Sequence, residues 1–242
     1  MAINVYWACL EDEWQRAPKP SKVSKTFFGS VHPLKNNNPS IEEQIGWIPL
    51  KRCPAFNSYL SNMYEVRSLY DYDFFSTKDG VMSNKFDNQF FKAHVSLRSV
   101  EKKAFSFLNR YIFFADCDSL EMTAYIHPIF ENNGITKSCV LIPGTYDIAK
   151  WFRPLEMAFY LKDGQEVFSV EHNDVLFYIK FHTNKKINFI QFKIDNEIKK
   201  MYQENVNLGR TFLHKPFKLI EYYNMFKSKK FVLRKIKENI VE

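Results

Sequence analysis

The chain predicts a mainly β fold of the α+β type: antiparallel sheets packed as a sandwich or a jelly-roll-like barrel, with a short helical C-terminus. Three observations carry this. Residues 139–181 hold four short apolar runs parted by the turn pairs Pro143-Gly144, Asp163-Gly164 and Asn173-Asp174. The run Val175-Leu-Phe-Tyr-Ile-Lys-Phe181 is β-branched and aromatic and is bounded by Asn173-Asp174 and Thr183-Asn184, the pattern of a strand. Connections between such runs are short and no long amphipathic helix intervenes, which disfavours parallel βαβ units.

Taken in order, Ile3-Asn-Val-Tyr-Trp7 predicts a short strand. Residues 15–45 carry Pro18, Pro20, Pro33, Pro39 and Asn36-Asn37-Asn38 without a sustained period, predicting a long loop that wraps the core or reaches a partner. An apolar pattern resumes around Trp47, and 63–75 alternates well enough for one or two strands, closed by the turn Lys78-Asp79-Gly80. Residues 86–94 fit one or two helical turns, with Asp87 as cap and Phe86, Phe90 and Phe91 on one face. Two further strands are predicted over 104–115 and 120–130, parted by Asp116-Cys117-Asp118-Ser119, and another over 187–194.

The C-terminus changes character. Leu219, Tyr222, Tyr223 and Phe226 recur at helical spacing, and after Ser228 the pattern repeats with Val232 or Leu233, Ile236 and Ile240. Residues 216–242 therefore predict a basic helical tail docked by its apolar stripe on a single β-rich domain spanning 1–242. Leu219, Tyr223, Phe226, Ile236 and Ile240 are expected inside, and Lys229, Lys230, Arg234 and Lys237 outside.

Composition sets the bounds. A chain of 242 residues with 45% hydrophobic and 25% charged residues suits one large globular β domain. No apolar run approaches the roughly 18 residues of a membrane span, and the N-terminus turns acidic before a signal-peptide apolar region develops. The expectation is a protein without a membrane partner and not secreted by a signal peptide. Cys9, Cys53, Cys117 and Cys139 are too scattered for a metal knuckle or redox pair and read as small hydrophobes in a reducing compartment; Cys53, beside Pro54, is the one to test for reactivity. Lys outnumbers Arg by 26 to 8 and Phe reaches 24, a skew shared by residues with A/T-rich codons. The net charge of +7 lies entirely after residue 198, where 11 Lys or Arg face 4 Asp or Glu.

Four constellations could carry chemistry. His172-Asn173-Asp174 matches the His-x-Asp half of a facial iron triad, with His214 as the distal ligand, since positions two apart share a strand face. The same tripeptide reads as a polar hairpin turn, and no metal or cofactor is the favoured expectation. Asp71 and Asp73 alternate with Tyr70 and Tyr72, so both carboxylates share a face, either for acid–base work or as the solvated side of a strand. Trp151 and Arg153 in Trp151-Phe-Arg-Pro154 could stack on and clamp a planar or anionic ligand, or form a core Trp with a bridging Arg. In the tail, Lys229, Lys230, Arg234 and Lys237 interleave with apolar residues and could contact nucleic-acid phosphates, an acidic protein partner, or solvent alone. No phosphate-binding glycine loop, Gly-x-Ser-x-Gly elbow, His-Glu-x-x-His or zinc spacing occurs.

From about Gly46 to Phe181 the chain resembles an uncharacterised protein family of tailed-phage genomes with distant bacterial relatives. The likeness rests on Arg52-Cys-Pro-Ala-Phe56, the run from Tyr64 that ends in Tyr70-Asp-Tyr-Asp73, Pro143-Gly144, Trp151-Phe-Arg-Pro154 and Asp174-Val-Leu-Phe-Tyr178. Where this chain has His172-Asn173, that family more often has Arg-Gly, which weakens the metal alternative. The resemblance implies a phage origin, hence host cytoplasm or virion, and no assigned reaction. The expected function is a non-catalytic binding or assembly protein, virion-associated or acting on a host component, through a protein partner or self-association. The alternatives are a jelly-roll iron/2-oxoglutarate-type oxygenase using His172, Asp174 and His214, and a sequence-independent nucleic-acid binder acting through the tail.

Overall fold

The computed structural model describes residues 2–10, 31–33, 53–68, 70–83, 85, 91–92, 94–101, 103–108, 111–125, 134–211 and 228–241. Of these, 45% are strand and 24% helix, the mainly β balance that the apolar runs and turn pairs predict. The first half runs β1 (Ile3–Cys9), β2 (Val31–Pro33), α1 (Pro54–Leu60), β3 (Met63–Arg67), β4 (Tyr72–Thr77), β5 (Gly80–Ser83), β6 (Val95–Ser99), β7 (Ala104–Leu108), β8 (Tyr111–Ala115) and β9 (Glu121–Tyr125). Then follow α2 (Gly134–Ser138), β10 (Cys139–Leu141), β11 (Thr145–Asp147), β12 (Glu156–Leu161), β13 (Val167–Val170), β14 (Val175–Phe181), β15 (Ile187–Gln191), α3 (Asn196–Thr211) and α4 (Lys229–Glu238).

The strands form four sheets, ordered β15-β1-β8, β10-β12-β7-β6, β11-β9-β14-β3-β2 and β13-β4-β5, and among the described residues none closes into a barrel. Among the described strands every pairing is antiparallel except β1 with β15, which run parallel from Ile3↔Ile187 to Trp7↔Gln191. Aromatic rings stack along neighbouring strands within a sheet, and one stack, Phe74 on Phe105, joins the β13-β4-β5 sheet to the β10-β12-β7-β6 sheet. Phe74 of β4 stacks on Phe168 of β13 at 4.6 Å and on Phe105 of β7 at 5.5 Å, and Phe105 stacks on Phe159 of β12 at 5.9 Å. Offset stacks and edge contacts of this kind add to the burial of large rings.

The β15-β1-β8 sheet is buried on both faces. Val5, Trp7, Phe113 and Ala115 join the main core, while Tyr6, Ala8, Ile112 and Phe114 point the other way into a second apolar cluster. That cluster is closed by Ile198, Met201 and Tyr202 of α3 and by Val232, Leu233 and Ile236 of α4. Two apolar faces explain why β8 reads as a continuous run, Tyr-Ile-Phe-Phe-Ala, rather than an alternation. A third cluster lies under α1, where Leu60 packs with Val175 and Tyr178. A bulge between Val175 and Phe177 lets β14 serve both sides.

Several expectations change in detail. The predicted strand over 104–115 is two strands in different sheets, β7 and β8. Helix is not confined to the tail and 86–94: α1 starts at Pro54, with the ring at the first helical position, and α3 spans 16 residues before Lys215. Its signal was present, since Ile198, Met201 and Tyr202 are spaced for one face and the Asp195 carboxylate accepts from Ile198 N at 2.7 Å as a cap. Within 15–45, residues Val31–Pro33 are not loop but an edge strand on β3. The rest of that segment, most of 86–94 and the apolar positions Leu219, Tyr223 and Phe226 lie outside the described residues. Pro143-Gly144 takes neither a turn nor a positive φ, whereas Gly164 takes φ 78° and Asn173 φ 78°, the left-handed turns expected of their pairs.

Candidate functional site

The Trp151–Arg153 rim is built by the turn after β11. The Asp147 carboxylate accepts from Leu120 N and Ala149 N at 3.1 Å each, from Ser119 Oγ at 3.0 Å and from Lys150 Nζ at 2.7 Å. Burial alone would raise this carboxyl's pKa, but these donors outweigh it and hold it below the ordinary range. The turn so fixed delivers Trp151 edge-on against Tyr146 at 5.2 Å and lays the Arg153 guanidinium 5.1 Å from the Trp151 ring centre. Arg153 Nη2 then meets Glu156 Oε1 at 3.3 Å at the start of β12.

A second guanidinium arrives from β6. Arg98 donates Nε to Ser106 Oγ at 2.7 Å across β7 and Nη2 to Glu156 Oε2. One carboxylate therefore takes two arginines over an aromatic pair, and Tyr146 Oη donates to the Glu156 carbonyl at 3.2 Å. Burial chiefly pushes the Tyr146 phenol up, so it stays a neutral donor. Of the two arginine side chains, Arg153 is 13% exposed and Arg98 41%. The arrangement clamps the rim; an anionic ligand would have to displace Glu156 from Arg153 or use the open edge of Arg98. Arg153 is thus a bridging arginine beside Trp151, and the solvent-facing cation of the rim is Arg98, 58 residues away from Glu156, which sequence spacing did not reveal.

His172, Asn173 and Asp174 form the connection between β13 and β14. Asp174 N donates to Glu171 O at 3.0 Å, and the Asp174 carboxylate accepts from Glu171 N at 2.9 Å. His172 N donates to Asp71 Oδ1 at 2.6 Å, and Arg67 Nη1 to Asn173 O at 2.9 Å. The tripeptide is therefore the polar turn, and Asp71 fastens it to the segment before β4. His214 lies outside the described residues, and no group of three His, Cys, Asp or Glu gathers among the described ones. Asp73 shares the outward face of β4 but has a different partner, Lys85 at 3.3 Å, so the two carboxylates do not form a pair.

The tail cations divide. Lys229 Nζ donates to Cys117 O, and Lys237 Nζ lies 2.9 Å from Asp116, so both tie α4 to the turn after β8. Lys230 and Arg234 point outward, with Arg234 over the Phe231 ring at 5.1 Å and 3.7 Å from Glu238. Lys235, outside the predicted set, bridges Glu197 of α3 and Glu238 at 2.9 Å each. Ile236 is buried as expected, but Ile240 is 40% exposed because the helix has ended and the residue bridges to Phe192 instead.

Sequence reasoning missed a polar row on the β9 side. His182 Nε2 lies 2.8 Å from Thr123 Oγ1, which lies 3.2 Å from Thr145 Oγ1. Lys180, paired with Thr123 in the sheet, donates to Tyr59 O at 2.6 Å and caps the end of α1; burial lowers its pKa. These contacts span 59 and 121 residues, and nothing local announces them.

The chain matches no protein-family model, and neither the curated proteins nor the solved structures supply a match.

Proposed function

We propose that this chain is a non-catalytic binding or assembly protein of a tailed phage, virion-associated or acting on a host component. One observation supports it above the rest: most of the described side chains that the sequence offered for chemistry make contacts within the fold. Asp71 and Asp174 secure a turn, Asp73 pairs with Lys85, Arg153 binds Glu156, and Lys229 and Lys237 dock the last helix. A frame of crossed hydrogen bonds and ion pairs around an aromatic core suits a protein that presents surfaces. The phage assignment rests on the resemblance carried by Arg52-Cys-Pro-Ala-Phe56, Trp151-Phe-Arg-Pro154 and Asp174-Val-Leu-Phe-Tyr178. Mass spectrometry of purified particles and of affinity-tagged protein from infected cells tests it. The expected result is co-purification with the particle or with one host protein. Iron-loaded protein that consumes 2-oxoglutarate and loses that turnover on His172→Ala would overturn it.

A further inference from the structure

We infer that the outer face of the β13-β4-β5 sheet is a self-association surface for a second copy of this chain, which rests on the assembly reading and gives it a partner. Val167, Phe75 and Met82 lie in register across the three strands, Val167 opposite Phe75 and Phe75 opposite Met82. Their neighbours Phe168, Phe74 and Val81 are buried in the core, so strand alternation sends the row outward. Val167 is 68% exposed, more than any other large apolar side chain among the described residues, and Phe75 and Met82 are half-buried. Helix α2 meets β13 at its edge, where Gly134 sits against the Ser169 carbonyl, and leaves Val167 open.

The charges beside the row select the occupant. Asp73 stands on the same face one step along β4, and Lys85 follows β5; they lie 3.3 Å apart with side chains 45% and 44% exposed. One charge of each sign beside an apolar row is self-complementary under a twofold axis. Rotation lays row on row and brings each Lys85 to the other copy's Asp73. A uniformly acidic or basic partner would meet a like charge at close range. Three side chains cover far less than the ~1,200 Å² typical of stable interfaces, so the association is weak and concentration-dependent.

Sedimentation velocity of the full chain over a concentration series tests this. The expected result is a monomer–dimer equilibrium whose dissociation constant rises about tenfold or more in Val167→Lys; Val167→Ser replaces it if the lysine variant does not fold. Asp73→Lys and Lys85→Asp should each be monomeric alone and dimerise when mixed, because the mixed pair restores both attractions between copies. An intrachain role for Asp73 and Lys85 cannot produce that recovery. A wild-type chain that stays monomeric, a dimer indifferent to Val167, or a mixture no better than its components would overturn the inference. A monomer that still co-purifies with particles or a host protein would overturn the dimer alone and leave the assembly reading standing.

Discussion

Lys237 of α4 reaches back 2.9 Å to Asp116 at the end of β8, tying the last helix to the strand whose outer face it covers. The two contributions to this docking are of different size. The ion pair is half-exposed and belongs to a class worth about 0–1 kcal/mol. The apolar contact buries Ile236 completely and Val232 and Leu233 nearly so.

Ile236→Ala should therefore cost about 2–5 kcal/mol and Lys237→Ala less than about 1 kcal/mol. Urea denaturation of both variants checks the order. Equal losses would show that charge, not burial, holds α4.

Glu156→Ala should destabilise more than Arg98→Ala, because it removes the carboxylate that both Arg153 and Arg98 bind. Arg98→Ala should cost about 1 kcal/mol, since that side chain is 41% exposed. A double-mutant cycle between positions 98 and 156 separates the two contributions. A Glu156→Ala protein as stable as the parent would remove the clamp from the rim.

Gly134→Ala should be strongly destabilising. An added Cβ would lie 1.8 Å from the Ser169 carbonyl oxygen, backbone that cannot swing aside as a side chain can. The expected cost is about 1–3 kcal/mol or more as overpacking, with α2 displaced from β13. Hydrogen exchange at β13 amides reads the displacement; unchanged protection would contradict it.

Alkaline pH should weaken the fold through Cys139 and Tyr64. Burial pushes the Cys139 thiol up to about 12 from an ordinary 9.0 and the Tyr64 phenol to about 12 from 10.0. Both groups stay neutral in the folded chain while the unfolded chain ionises first, so stability is intact below pH 9 and falls as pH rises toward 12. The Cys139 difference corresponds to about 4 kcal/mol at the top of that window. Cys139→Ala should flatten the decline in urea midpoint against pH, and an unchanged slope would refute the assignment.

Replacing Lys230 and Arg234 by Gln should leave folding intact, because both project from the helix away from its buried stripe. If DNA binds through the tail, these two can change the slope of log K against log salt by at most about 1.8, at about 0.9 per phosphate contact. A larger change would place further phosphate contacts elsewhere on the chain.

Much of the fold was legible residue by residue. Alternation along Val167-Phe-Ser-Val170 and the turn pairs Asp163-Gly164 and Asn173-Asp174 mark strands and their ends, because side-chain period and backbone freedom are local properties. The α4 stripe of Val232, Leu233 and Ile236 was readable for the same reason, and the α3 stripe was equally readable but overlooked. Partnership was not. Asn4 and Asn188, 184 residues apart, share a hydrogen bond between the parallel strands β1 and β15, and Arg98 finds Glu156 from another strand. The burial of two apolar faces on the β15-β1-β8 sheet decides that β1 lies beside β15, the last of the described strands. The charges then settle wherever closing the core has carried them, which is why the set of candidate residues was visible in the sequence and their partners were decided by the tertiary structure.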